Sequence, residues 1–224
     1  MPDIVCYTCI LGGYDNLLRP SVVPDGVRFV CFTDNPSLSS DVWEIRPVPE
    51  GLDGLSTRKK TRYIKLHPHE VLGECDASVY VDANVKVVGD LSKFVESTVV
   101  PGKSVYIARH PDRDDIWDEE RCIHRWKKDS PSNTGPQVRR YKDVIPRHGG
   151  LWQNSIILRI DDPYCRRLMD VWWSEIESYS YRDQLSLPYA LTLCGMEGFE
   201  TLGKGLFDSE YFKRDKNHKK KRRW

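Results

Sequence analysis

The residues best suited to chemistry lie in "SVYVDANVKVVGDL", residues 78–91, where an apolar run ends on Asp82 and Asn84 with one residue between them. In an extended chain, residues two apart share a side, so a carboxylate and a carboxamide oxygen can converge beyond the strand end. That pair suits a hard divalent cation, Mg²⁺ or Mn²⁺, which prefers oxygen ligands and often shares them with substrate phosphates. Asp and Asn also end strands simply by making turns, so spacing alone leaves both readings open.

Upstream, Arg58, Arg62 and Lys65 recur at intervals of four and three, with His69 four further on. On a helix this puts the first three along one face. A row of such cations beside a metal carboxylate is what a diphosphate needs, with Arg able to grip its oxygens bidentately. The same stripe is equally the solvated face of an ordinary helix. "GGYD", residues 12–15, offers Gly12 and Gly13 as a flexible turn where backbone N–H groups can approach a ligand, Tyr14 as a ring for a base, and Asp15. Asp34, in "FTDN", could accept hydrogen bonds from a ribose or base, or make a turn.

Asp183 and Gln184, in "YRDQLSLPY", fall at a helix start, where either can cap the helix or face a cleft. A carboxylate there could orient or deprotonate an acceptor hydroxyl. "GGLWQNSIIL" sets Trp152, Gln153 and Asn154 before a strand, an aromatic platform with two amides of the kind that holds sugars. His110, closing another strand, is grouped with these acceptor candidates. His110, His124 and His148 lack metal-site spacing.

These residues need elements that bring them together. Residues 3–11 and 27–33 are apolar, β-branched and aromatic runs closed by turn residues, hence buried strands, and "VWEIRPV" is a weaker third. A helix runs from Ser56 to about Leu66 and stops before Pro68. "SVYVDANVKV" reads as one strand, Asp90 as the N-cap of a short helix, and "KSVYIARH" as the next strand. Segment 112–147 alternates helix-like pieces with the turn "SPSNTGP". "SIILRI" returns as a strand, a helix starts at Pro163 and runs to 178, and "DQLSLPYALTL" reads as a helix broken near Pro188. Strands alternating with helices predict an α/β sandwich around a mainly parallel sheet, in which ligands bind beyond the carboxyl ends of the strands.

The 224 residues, 39% hydrophobic and 30% charged, exclude a disordered chain and fit one domain over 1–212 followed by a basic tail, 213–224. That tail carries eight Lys or Arg against one Asp, +7, so the net charge of +1 leaves −6 for the rest. It could contact an anionic membrane face or act as a solubilising end; nucleic acid is not the expected partner. Seven cysteines are an odd number, and most lie in apolar runs, which favours free thiols and a reducing compartment. Cys6 and Cys9 have CxxC spacing but no second pair follows. The start "MPDIVCYTCI" lacks the basic and apolar regions of a signal peptide, and no run reaches the roughly 18 apolar residues of a membrane span. A cytoplasmic protein, peripheral at the inner membrane face through its tail, is the expectation.

In order, "GGYDNLLRP", "FTDN", "TRKKTRYIKLHPH", "SVYVDANVKVVGDL", "ARHPDRDDIWDE", "QVRRYKD", "GGLWQNSIILR" and "YRDQLSLPY" resemble the DUF616 family, a group of glycosyltransferase-like domains, from about residue 5 to 190. The resemblance implies a GT-A-like, Rossmann-related fold in which an acidic DxD-type motif holds a divalent metal and the donor diphosphate. Asp82 and Asn84 would occupy it as DxN, a substituted second carboxylate. A C-terminal His completes the metal site in similar enzymes, and His218 is the candidate in the tail. Asp183 and Gln184 would face the donor sugar or acceptor. The implied reaction moves a sugar from a nucleotide-sugar donor, a UDP-sugar first among them, to a glycan or glycolipid acceptor, with Mn²⁺ or Mg²⁺ as cofactor. A metal-assisted phosphoester hydrolase and a nucleotide-binding module without catalysis are the competing readings.

Overall fold

The computed structural model describes residues 2–215. The chain alternates as expected: strands β1 (Ile4–Ile10), β2 (Val27–Thr33) and β3 (Glu44–Pro47) precede helices α1 (Thr57–Leu66) and α2 (Pro68–Val71). Strands β4 (Ala77–Val81) and β5 (Val85–Val87), helix α3 (Leu91–Thr98) and strand β6 (Val105–Arg109) follow. Then come α4 (Ile116–Arg125), α5 (Pro131–Tyr141), β7 (Trp152–Arg159), α6 (Pro163–Ser178), α7 (Asp183–Cys194), β8 (Phe199–Leu202) and β9 (Phe212–Arg214).

Seven strands form one sheet in the order β3-β2-β1-β4-β7-β6-β8, parallel throughout except for β7, which runs antiparallel to both neighbours. This is the mainly parallel sandwich expected, with the Rossmann-related order 3-2-1-4 of a GT-A-like sheet. Period-two alternation sends Val5, Tyr7 and Cys9 of β1 into a core with α1, α6 and α7, and Ile4, Cys6 and Ile10 into a second core with α3 and β5. Cys6 and Cys9 thus face opposite sides of the sheet, which rules out a shared metal or disulfide, and all seven cysteines are free. Among the described residues, no helix is long and apolar enough to cross a membrane.

Three expectations are corrected. "SVYVDANVKV" is two strands, because Asp82 O accepts the Val85 N–H at 2.8 Å and closes a turn; β5 then leaves the main sheet to pair with β9. The DAN residues lie in that turn, so strand alternation does not set their side-chain directions. Helix α7 runs unbroken through Pro188, whose missing N–H leaves only the Gln184 carbonyl without its helical donor. The strand read as "SIILRI" begins earlier, at Trp152, and a register shift opposite Ile107 and Ala108 accommodates the extra residues.

The open sheet reverses direction between β1 and β4: the chain builds β2 and β3 on one side of β1, then crosses to β4 on the other. In such sheets the crevice at the carboxyl ends of those two strands is where ligands bind. Gly12, Asp34 and Asp82 follow the carboxyl ends of β1, β2 and β4. Segment 110–151 leaves the same edge after β6 and returns to it at β7, so α4 and α5 form a cover there, with a small core of their own against α7 (Ile123, Val138, Tyr141, Leu185 and Tyr189 among its members).

Candidate active site

Helix α1 starts cleanly because the Ser56 side chain accepts the Lys59 N–H. Its basic stripe is not a solvated face. Arg58 is exposed, Arg62 half-buried and Lys65 only 1% exposed, so the stripe descends from solvent into the crevice. Lys65 is fixed at its backbone as well: its carbonyl accepts the Tyr7 hydroxyl at 2.7 Å and the Arg159 guanidinium at 2.8 Å. Burial pushes the Tyr7 phenol up to about 12, so it stays a donor.

The Lys65 ammonium lies 2.6 Å from Asp183 Oδ2 and 3.7 Å from Asp82 Oδ1, and sits 4.8 Å from the centre of the Tyr80 ring. Arg62 Nε is 3.5 Å from the same Asp183 oxygen. Burial opposes charge on Asp183, but Arg62 and then Lys65 outweigh it and hold its carboxyl well below the usual carboxylate range. Burial likewise opposes charge on Arg62, and Asp183 and Asp82 outweigh it in turn. The result is a four-membered charge cluster, two cations and two carboxylates; Asp82, its side chain 33% exposed, is the carboxylate that reaches solvent, and Arg62 is partly exposed beside it. Asp82 also accepts the Tyr80 hydroxyl at 2.9 Å; burial and then the Asp82 charge keep that phenol protonated well above its ordinary range. Arg58 reaches the cluster through Tyr181, whose hydroxyl it donates to at 2.6 Å and whose ring it covers.

Gly12 and Gly13 both adopt positive φ, +67° and +62°, which a side chain would strain, so the glycines are demanded by the turn. Gly12 N–H donates to both Asp34 oxygens, at 3.0 and 2.8 Å, so Asp34 ties the β1 and β2 ends together. Tyr14 projects with 54% of its surface exposed beside Asp15. Asn84 follows in the DAN turn, its carbonyl accepting the Asp215 N–H at 2.8 Å. His218 lies outside the described residues.

Gln184 donates to the Trp152 carbonyl at 3.4 Å and accepts from Arg182 at 3.3 Å, joining α7 to the start of β7. Trp152 is 4% exposed, its indole N–H given to Thr201, its ring packed against Phe199 and covered by Arg109. Gln153 is half-buried opposite Ala108. Asn154 is 2% exposed, and neither atom of its amide has a partner among the described residues. His110 is buried; its Nδ1 accepts the Asp112 and Arg113 N–H groups, and burial followed by the Arg113 charge pushes its basicity down to about 4, so it is neutral near pH 7.

The structure therefore draws Arg58, Arg62, Lys65, Asp82 and Asp183 into one connected cluster, keeps Gly12 with Asp34 as a separate contact at the neighbouring strand ends, and buries Trp152 and His110. Sequence reading missed Tyr80 and Tyr181, although both stand within two residues of Asp82 and Asp183. It also missed Arg159, whose role depends on a contact 94 residues away. Asp114, Asp115 and His148 form a further acidic group whose ligand atoms lie within 4.8 Å of one another. Its members are engaged: Asp115 caps α4 through the Asp118 N–H, and His148 is hydrogen-bonded to Asp114, which raises its basicity.

No curated protein sequence matches the chain. A crystal structure of mouse xyloside xylosyltransferase 1, apo form, overlays with a TM-score of 0.49 at 14% identity, covering 88% of this chain and 84% of that one. The TOD1/MUCI70 glycosyltransferase-like domain matches residues 41–214, which contain α1, the DAN turn and the YRDQ segment. The chain belongs to the TOD1/MUCI70 family of glycosyltransferase-like domains.

Proposed function

We propose that the protein is a metal-dependent glycosyltransferase that moves a sugar from a nucleotide-sugar donor, a UDP-sugar first among them, to a hydroxyl of a glycan or glycolipid. The observation that carries this reading is the placement of the Arg62–Lys65–Asp183–Asp82 cluster at the switch point of the sheet, with its one solvent-reaching carboxylate on the DAN turn.

The donor set fits a hard divalent ion: Asp82 offers a partly exposed carboxylate, Asn84 a carboxamide oxygen, and both suit Mg²⁺ or Mn²⁺. His218, outside the described residues, is kept as the further candidate ligand that the family resemblance suggests. The ion would supply charge stabilisation for the leaving nucleoside diphosphate. Arg58, the exposed end of the stripe, is placed to contact a phosphate, while Arg62 and Lys65 hold fixed positive charge behind it. Asp183 is a poor proton acceptor at neutral pH, since its carboxyl is held well below the usual range. We therefore assign it to orienting Lys65 and Arg62, rather than to the deprotonating role that the sequence left open beside an orienting one.

Thermal-shift measurements with UDP, GDP, CMP and dTDP and their sugars, with and without Mn²⁺, test the reading. Stabilisation by one nucleotide that depends on metal is expected, and is expected to vanish in Asp82→Ala. No response to any nucleotide, or an undiminished response in that variant, would overturn it.

A further inference from the structure

Beside the cluster, under the α4–α5 cover, lies a second group of charges that the proposed reaction does not use. Glu119, 1% exposed on α4, meets Arg113 at 2.8 Å and Arg182 at 3.6 Å. The shorter contact is a charge contact off the hydrogen-bonding direction, since Glu119 Oε2 and both Arg Nε atoms lack hydrogen-bond partners among the described residues. Lys128 joins them: its ammonium lies 4.6 Å from the centre of the Trp126 ring, and Arg113 covers the same ring at 5.7 Å. Burial, then Arg182, lowers the basicity of Lys128, so these cations crowd one another in a partly dry space.

Two guanidiniums thus flank the one buried carboxylate of this group, Lys128 stands beside them without touching it, and Arg182 also acts on Asp183. Like charges held together away from water are unfavourable unless another anion joins them, and two unpartnered guanidinium Nε–H groups are donors still to be used. Trp126 marks the rim, 52% exposed, an aromatic face of the kind on which the apolar side of a sugar ring rests. Arg182 adjoins Asp183 in the chain and also bonds Gln184, so a group bound here lies next to the charge cluster.

We propose that Arg113, Lys128 and Arg182 form a pocket for the anionic group of an acidic sugar, a uronate carboxylate or a sugar phosphate, with Trp126 under its ring, and that this is how the enzyme selects an acidic acceptor. The identification as acceptor rests on the transferase reading above; the preference for an acidic sugar does not.

Titration of the intact protein with methyl glucuronide, glucose 6-phosphate, methyl glucoside and inorganic phosphate, followed by calorimetry and saturation-transfer NMR, is the test. One acidic sugar should bind at least about tenfold more tightly than the glucoside, and which one does so identifies the anionic group. Lys128→Gln, at a half-buried site without a Glu119 contact, should cut that preference severalfold; Trp126→Ala should weaken the acidic sugar but not inorganic phosphate. Equal binding of glucoside and acidic sugars, a preference that survives Lys128→Gln, or inorganic phosphate binding as tightly as the sugars would each overturn the proposal. UDP with Mn²⁺ gives the separate arm. An unchanged thermal shift in Lys128→Gln is expected, whereas loss of that shift with sugar binding intact would hand the cations to the donor and overturn the assignment. If UDP fails to bind even the unaltered protein, the transferase reading falls, while the glucuronide and glucoside comparison still decides the acidic-sugar pocket.

Discussion

Asp183→Asn should be the most informative single change, because it keeps the shape of the side chain and removes only its charge. In the native protein Asp183 is 4% exposed and neutralises Lys65, 1% exposed, at 2.6 Å, with Arg62 at 3.5 Å. The variant leaves buried Lys65 and half-buried Arg62 facing one partly exposed carboxylate, Asp82. Removing one partner of a buried pair costs about 3–5 kcal/mol because the remaining charge stays uncompensated. At roughly 2–4 °C per kcal/mol for a domain of this size, Tm should fall by about 6–20 °C. The pH dependence carries the same signature. The native carboxyl is held below its ordinary 3.8, so its contribution is full above that value and fades only as pH falls through the depressed one. The gap between native protein and variant should therefore be constant from pH 7 to 5 and narrow below about pH 4. Lys65→Met combined with Asp183→Leu, which removes the pair together, should recover at least half of the lost stability. Melting curves by circular dichroism across that pH range provide the assay. An Asp183→Asn variant melting within about 2 °C of the native protein at pH 7, well inside the range expected for a broken buried pair, would refute the idea that these charges are mutually held.

Other expectations are more local. Asp82→Ala should remove metal-dependent nucleotide stabilisation while shifting the metal-free Tm by only a few degrees, since Asp183 still pairs Lys65 and Arg62 and the losses are the Tyr80 hydrogen bond and the longer 3.7 Å contact to Lys65, about 1–2 kcal/mol. A Cβ on Gly89 would sit 2.5 Å from the Glu210 carbonyl oxygen and 2.9 Å from Tyr211 Cα, so Gly89→Ala should cost about 1–3 kcal/mol and raise amide exchange across β5 and β9. His110, with its basicity lowered to about 4, should show no NMR inflection between pH 5 and 8; because the unfolded chain binds this proton more readily, stability should rise with pH from about 4 to 6.5. An inflection near 6.5 would show that its ring is not enclosed.

Much of the scaffold was legible because its signals are local. Continuous apolar runs closed by turn or charged residues located β1, β2 and β6, Ser56 and Asp90 capped helices as their residue types suggest, and the intervals among Arg58, Arg62 and Lys65 identified one helix face. That the face was buried was not readable, since it required Asp183, 118 residues from Lys65. The turn at Asp82 was mistaken for continuing strand because Val85, Lys86 and Val87 alternate as well as any strand does; what diverts them is pairing with residues 212–214. Trp152 has the composition of a sugar platform, but its exposure is set by Phe199, Thr201 and Arg109 from neighbouring strands.

The pairing of β5 with β9 also bears on when the protein becomes competent during its synthesis. Val85–Val87 emerges from the ribosome well over a hundred residues before Phe212–Arg214, its partner in the small sheet. At roughly 5–20 residues per second, the nascent chain waits on the order of 10 s with the turn after Asp82 lacking that support. The first parallel strands can assemble early, and Ser21 and Ser155 each give this region one hydrogen bond, yet the strand that leaves the turn gains its pairing partner only with residues 212–214. On the proposed reading, donor chemistry waits for residues 212–214, and an unfinished chain presents the cations of α1 beside an incomplete turn.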